Sequence, residues 1–473
     1  MKLCFISIVL CFALSLTCNG ENPGIRLTVN SRGLTFVKET LLDFLKPKLT
    51  AVRVPEFKKN EKKQGYEVYN VKINSLNLGK TSIQTRTPNV LTASIGDASA
   101  SLSGSWKAWK KILFTFRFSG TASVSGSKIK ISQDIILGKD KVGRPTFDIG
   151  KCTSSMGEFK VSLKGKNFIQ TWIAKLVVAV LKGKIHKEVE TALCSIAVKE
   201  LKKKSAAITA GYATSRYLTY GTNINLGLTS SPVTSGSSSV KVAVSGRCYS
   251  KKNNPLQRIP FSAPMSSTLP SSKKMLYMSL NEYVLNTLFY SMWQDKYFDR
   301  TYNSAKLTSA LGKSLKAYDI AKLVPIFLKY GSNKLQVIIR ASGAPKADIT
   351  TRGVSLKGNF YIYVNGETPT GKSLKGISFK VSLEIRGRPA YKNGVITASI
   401  DYLKSKVLTS TGFPKVYIDK VVQSFISKPF TDVLSKAASA GLVIPSVYGF
   451  KPANVNIATK HNMIEVGSDF TRT

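Results

Sequence analysis

Two histidines in 473 residues, His186 and His461, leave little room for acid–base or nucleophilic chemistry. A Ser-His-Asp or Cys-His machine needs an imidazole beside its nucleophile, and no Gly-x-Ser-x-Gly accompanies either histidine. Metal ligands are as scarce, with no paired-cysteine or His-Glu-x-x-His spacing. Gly371-Lys372-Ser373 lacks the upstream glycine of a phosphate loop. Neither an enzyme nor a bound metal or cofactor is therefore expected. There is no Asn-x-Ser/Thr sequon, so no N-glycan is expected either. Beyond residue 20 no stretch approaches the roughly eighteen uncharged apolar residues of a membrane-spanning helix, and a soluble mature protein is expected. Acidic residues are the last scarcity, 26 against 70 Lys plus Arg, for a net charge of +44.

Residues 1–20 carry one lysine, an apolar run from Leu3 to Leu16, and small residues Cys18 and Gly20 before Glu21. They read as a secretory signal peptide, which implies a secreted, extracellular protein. Three of the six cysteines depart with it, leaving Cys152, Cys194 and Cys248 in an oxidising compartment. One disulfide and one odd thiol is the simplest arithmetic, and the sequence alone does not choose the pair.

The positive charge is shared evenly. Residues 21–248 hold 37 cations against 14 acids, and residues 249–473 hold 32 against 12. Such an excess implies an acidic partner, which could be a nucleic acid, a sulfated glycan or an anionic lipid, or else solubility through self-repulsion. Secretion argues against nucleic acid.

Lys251 to Lys274, with four prolines and many serines, reads as a linker over 249–274. It divides an N-terminal domain, 21–248, from a C-terminal one, 275–473. Thr229 to Ser239 reads as a mobile loop. Each domain repeats one order of elements. In the first, an amphipathic helix from Thr35 to Leu49, closed near Pro47, precedes short alternating strands from Tyr66 to Ser162 and a long helix from Asn167 to Lys204. In the second, a helix from Ser279 to Trp293, opened by a Ser279–Glu282 capping box, precedes strands over Lys334 to Leu403 and a helix over Pro414 to Ala440.

The chemistry concentrates between Ser103 and Phe118, SGSWKAWKKILFTFRF. Trp106, Lys107, Trp109, Lys110 and Lys111 interleave rings with cations, and Phe114, Phe116 and Phe118 then alternate with Thr115 and Arg117. This pattern reads as a strand with a basic, aromatic tip, suited to a surface anionic outside and greasy beneath. An ordinary hairpin end with two packed tryptophans is the plainer alternative. Lys58, Lys59, Lys62 and Lys63 form a second basic segment, readable equally as a solvated loop.

Several stretches together resemble one family: Asn22-Pro23-Gly24-Ile25 with Gly33-Leu34, Gly104 to Ala108, the Cys152 and Cys194 spacing, the proline-rich linker, the Leu276 to Leu288 helix start, and Val455 to Gly467. It is the secreted family of bactericidal/permeability-increasing protein and lipopolysaccharide-binding protein. The resemblance spans essentially the whole mature chain. It implies an α+β fold of two tubular lipid-binding barrels, each a twisted antiparallel sheet wrapped on a long helix, joined by a central sheet into a curved elongated rod. It also implies a Cys152–Cys194 disulfide, with Cys248 left inert, and brings the two basic segments to one barrel tip associated with lipopolysaccharide. A slot in each barrel would hold phospholipid tails, lined by Leu41, Leu45, Ile173, Val177 and Val180 in the first and by Val284, Leu288, Val422 and Phe425 in the second. One departure is the charge, concentrated in the first half of the mammalian bactericidal member and here spread over both.

Energetics divide the labour. Burying an acyl chain of about fourteen carbons is worth on the order of 10 kcal/mol at ~0.8 kcal/mol per methylene, against about 1 kcal/mol per cation at an anionic surface. Charge should steer and apolar contact should hold. The expected function is a secreted, monomeric innate-immune protein that binds lipopolysaccharide through lipid A and permeabilises Gram-negative outer membranes. A phospholipid carrier without bactericidal action is the alternative, and a protein binding sulfated glycans is a third reading.

Overall fold

The computed structural model describes residues 22–50, 56–111, 113–165, 178, 191, 194–195, 197–219, 221–236, 238–252, 259–263, 273–306, 316–321, 324–331, 333–392, 395–411, 415–422, 442–443 and 450–472. The candidate leader, Ile173, Val177, Val180 and Phe425 lie outside them, as do the side chains of Leu41, Leu45 and Lys59.

Two compact units divide the chain. The first is Val29–Tyr212 with Ser231–Lys241. Its seven-stranded antiparallel sheet is built on two long strands, Val90–Lys111 and Thr115–Lys139, paired along most of their length. Alternation of small polar and apolar residues, as in Ala98, Ala100, Leu102 and Gly104, suits a pleat with one face toward a core. Gln64–Asn77 flanks one long strand, and Pro145–Ser155 and Glu158–Gly165 flank the other.

Helix Ser31–Thr50 touches Gln64–Asn77 and Lys80–Arg86. It starts earlier than the sequence pattern indicates, because the Asn30 carbonyl accepts the Leu34 N–H at 2.8 Å. It also passes Pro47, which falls in the last turn and removes a single ladder donor there. The described residues of the second helix are helical and continue through 197–211, past the expected end at Lys204. Cys194, in that helical stretch, is bonded to Cys152 on strand Pro145–Ser155.

The stretch from Thr229 to Ser239 is not a loose loop. Strand Val233–Ser235 pairs with Ser239–Val244. Buried Thr234 donates its N–H to the Pro88 carbonyl at 2.8 Å and its hydroxyl to the Arg86 carbonyl at 2.7 Å. Serine-rich composition reads as mobility, but these hydroxyls find partners.

The other unit takes the chain up to Thr28, Ala213–Ser230 and Val242–Thr473. The division therefore departs from the boundary at residue 248. Strands Ser215–Thr219 and Thr222–Asn225 pair with each other and then with Cys248–Ser250, and that small sheet packs on helix Glu282–Gln294. The proline-rich stretch is docked at its described residues: Ala263 is buried, its carbonyl accepts the Asn22 side-chain amide at 2.9 Å, and Phe261 meets Tyr290 edge to face.

Helix Glu282–Gln294 is capped by Asn281, whose side chain accepts the Tyr283 N–H at 2.9 Å. Ser279 does not form the expected capping box, because Leu276–Asn281 is a strand paired with Met463–Arg472. Asp469 fastens this pairing. Burial pushes its carboxyl up, but the Met275 N–H, the Lys274 ammonium and the Asn454 amide outweigh that and hold it below the usual range.

Val284 is buried with Ile25, Ile224, Leu228, Val244 and Cys248, and Leu288 packs against the same cluster. Ile418, within helix Lys415–Val421, and Val422, just after it, are buried with Phe327, Leu335, Ile362, Phe379 and Val381. Of these expected slot-lining residues, Val284 and Val422 are thus buried among other side chains and Leu288 is partly buried beside them. Burial pushes the Cys248 thiol up to about 12, a shift that its Thr287 neighbour moderates, so the odd cysteine is inert at neutral pH.

Candidate functional site

Register assembles the tip of the first unit. Gln64, Lys110 and Phe116 lie in one row across three strands; the next rows are Gly65, Trp109 and Arg117, then Tyr66, Ala108 and Phe118, then Glu67, Lys107 and Ser119, and finally Val68, Trp106 and Gly120. The turn carrying Lys62 and Lys63 closes through the Glu61 N–H on the Gln64 carbonyl at 2.7 Å. It abuts the other hairpin, for the Lys111 N–H donates to the Lys63 carbonyl at 2.7 Å. The two basic segments, about fifty residues apart in sequence, therefore meet. Lys58, Lys62, Lys63, Lys110 and Lys111 are exposed there, and Lys59 is on the adjoining strand Phe57–Asn60, opposite Tyr66.

Trp106 overturns one expectation. It is 1% exposed, packed with Ala108, Ala122 and Leu163, and its indole N–H donates to the Lys164 carbonyl at 3.1 Å. The row Val68–Trp106–Gly120 is four rows in from the tip, on the face that carries the core. Gly120 makes room for it, since a Cβ there would collide with the Lys164 carbonyl and come within 2.9 Å of the indole nitrogen. Trp109 is on the opposite face, half-buried over Gly65, where a Cβ would come within 2.5 Å of its ring nitrogen. Lys107, in the row of Glu67 and Lys58, stays exposed, with its ammonium 3.9 Å from Glu67 and 4.3 Å from the Tyr69 ring centroid.

The apolar tip consists instead of Leu113, 87% exposed, Phe114, 77%, and Phe116, 50%. These side chains were missed as site residues, yet the signal was there: Ile112-Leu113-Phe114 puts three apolar residues where a hairpin normally turns through polar ones. Exposed Arg117 adds a further cation. Such a patch, with a rim of lysines, marks a contact surface for something apolar within and anionic outside. Among the described residues, no three His, Cys, Asp or Glu side chains gather to hold a metal, and no helix is long and apolar enough to cross a membrane.

Fold and site together define a class: an antiparallel, sheet-rich protein of two units, the first of which carries a cationic hairpin with a greasy tip. The comparisons with known proteins narrow it. Residues 33–203 match the N-terminal domain of the LBP / BPI / CETP family and residues 218–472 its C-terminal domain. The chain belongs to that family, whose members bind lipids and are not enzymes. It is 22% identical over 463 residues to bactericidal permeability-increasing protein of Rattus norvegicus, covering 96% of this chain and 94% of the relative. With the lipopolysaccharide-binding protein of Mus musculus it shares 23% over 400 residues, covering 82% and 78%. Phospholipid transfer protein of Homo sapiens matches at 24% over 161 residues, about a third of each chain. A crystal structure of lipopolysaccharide binding protein superposes with a TM-score of 0.59 at 18% identity, covering 95% of this chain and 99% of the other, which shows a common fold.

Proposed function

We propose that this is a secreted, cationic protein that binds lipopolysaccharide at the surface of Gram-negative bacteria and permeabilises their outer membrane. The observation that carries the reading is the meeting of Lys62 and Lys63 with Lys110 and Lys111 around exposed Leu113, Phe114 and Phe116. The lysines draw the tip to lipid A phosphates and displace the divalent cations that bridge them. Leu113, Phe114 and Phe116 then enter the loosened layer. Full burial of these three side chains is worth roughly 5–8 kcal/mol, against about 1 kcal/mol for each cation, and only the second contribution is screened by salt. Acyl chains are held by the first unit, with Leu41, Leu45, Ile173, Val177 and Val180, named from the family resemblance, as the candidate lining residues. The disulfide fits an oxidising, extracellular setting, and the strong net charge favours a monomer.

Binding to lipopolysaccharide vesicles and to phosphatidylcholine vesicles across a salt series tests this. Tight, salt-weakened binding to the first alone is expected. Replacing Lys62, Lys63, Lys110 and Lys111 by Gln should flatten the salt dependence. Changing Leu113, Phe114 and Phe116 to Ser should keep that dependence and cut affinity and dye leakage at least about tenfold. Equal, salt-insensitive binding to both vesicles would overturn the reading in favour of a phospholipid carrier, the role for which the similarity to phospholipid transfer protein speaks.

A further inference from the structure

The second unit carries a cationic surface that the tip reading does not use. Strands Lys346–Thr350, Gly353–Glu367, Ser373–Lys392 and Val395–Thr411 are consecutive neighbours, and Lys334–Ala341 pairs with the same edge of Gly353–Glu367 further along. Phe360, Ile362, Phe379, Val381 and Val407 point to the core. The alternate residues form the other face, and register arranges them in rows. One row reads Lys346, Lys357, Glu384, Lys404; the next reads Asn359, Ser382, Lys406; a third reads Arg340, Tyr361, Lys380, Thr409. On the far side of the first lies Asp348, Ser355, Arg386, Tyr402. Seven cations thus share this face with Glu384 and Asp348 over an area about 14 Å across the strands and roughly 20 Å along them; Lys357 and Arg386 are ion-paired with Glu384 and Arg340 with Asp299.

Three features decide what such a face can take. The exposed large side chains on it that are not charged are tyrosines, Tyr361, Tyr363 and Tyr402, in contrast to Leu113 and Phe114 at the tip, so it offers hydroxyl-bearing rings and nothing to insert into a bilayer. Rings and cations are paired: the Lys380 ammonium is 5.2 Å from the Tyr361 ring centroid and the Arg386 guanidinium 4.8 Å from that of Tyr402. That combination suits a sugar ring lying on the phenol with an anionic substituent beside it. Finally, Lys346 and Lys357 stand directly opposite one another, a like-charge pair in which Lys357 has the Glu384 carboxylate 3.8 Å away.

We propose that this face binds a linear sulfated polysaccharide, several sugars long, laid across the strands with sulfates on Lys346, Lys357, Lys404, Lys406 and Lys380 and sugar faces on Tyr361 and Tyr402. It would concentrate the secreted protein on anionic glycans independently of its lipid-binding tip.

The test uses the full mature chain and a heparin-derived decasaccharide at about 0.15 M salt. The triple variant Lys357→Gln, Lys404→Gln, Lys406→Gln is compared with a charge-matched triple on the exposed helix face, Lys199→Gln, Lys202→Gln, Lys203→Gln. The sheet-face triple should weaken binding about tenfold or more and lower the salt slope, the helix triple no more than about twofold. The double variant Tyr361→Ser, Tyr402→Ser should weaken binding with the salt slope unchanged. Lipopolysaccharide affinity should be the same in all three. Equal losses from the two triples would overturn the proposal, leaving net charge alone as the cause. So would full competition by anionic phospholipid vesicles or by single-stranded DNA of equal charge.

Discussion

Trp106 and Trp109 illustrate how much one residue's position can decide. They are three apart on a strand, and odd separations point to opposite faces. Once both lie on one paired strand, the two rings fall on opposite faces and do not form the joint aromatic tip that the sequence pattern suggests. Register with Val68 and Gly120 assigns Trp106 to the core. Trp106→Ala should destabilise the first unit by about 3–5 kcal/mol, and Trp109→Ala by less than about 2 kcal/mol. Chemical denaturation followed by circular dichroism measures both, and comparable losses would contradict the assignment. Lys107, which the sequence groups with Lys110 and Lys111, is likewise set apart by its contacts with Glu67 and Tyr69.

At the scale of elements, the ends of the described helices follow tertiary partners. Ser279 and Glu282 have capping-box spacing, yet Leu276–Asn281 is drawn into a strand by Met463–Arg472, and Asn281 takes over the cap. Thr229 to Ser239 shows the same effect, since acceptors at Arg86 and Pro88 turn a serine-rich stretch into a strand. The Cys152–Cys194 bond ties a helical segment to strand Pro145–Ser155 across 42 residues of sequence. Closing a loop of that size is worth about 3–4 kcal/mol through the unfolded state. Reduction, or the double change Cys152→Ser and Cys194→Ser, should lower unfolding stability by that amount in a denaturant titration, and a loss under about 1 kcal/mol would show the chain already constrained without it.

For the molecule as a whole, the governing quantity is the net charge of +44. Described ion pairs such as Arg86–Asp134 and Lys274–Asp469 neutralise only part of the cationic surface. Self-repulsion then opposes the compact state and is relieved by counterions. The melting temperature should rise by several degrees between about 10 mM and 150 mM sodium chloride, in differential scanning calorimetry without lipid or glycan. A fall with salt would mean that the described ion pairs outweigh the repulsion.

Composition, charge, strand and helix periodicity and the scarcity of histidine are properties of the chain itself. They determined the sheet-rich, two-part organisation, the cationic character and the absence of any catalytic motif. The pairing of Cys152 with Cys194 became legible only through resemblance to a family. Tertiary structure alone decided what depends on contacts between distant residues: that Lys63 meets Lys111, that Trp106 is core while Leu113 and Phe114 face outward, that Val284 and Val422 are buried in separate clusters, and that Lys346, Lys357 and Lys404 share a row. The physical reason is that a period of two states which side chains share a face, whereas register and neighbouring strands determine whether that face is buried or met by solvent.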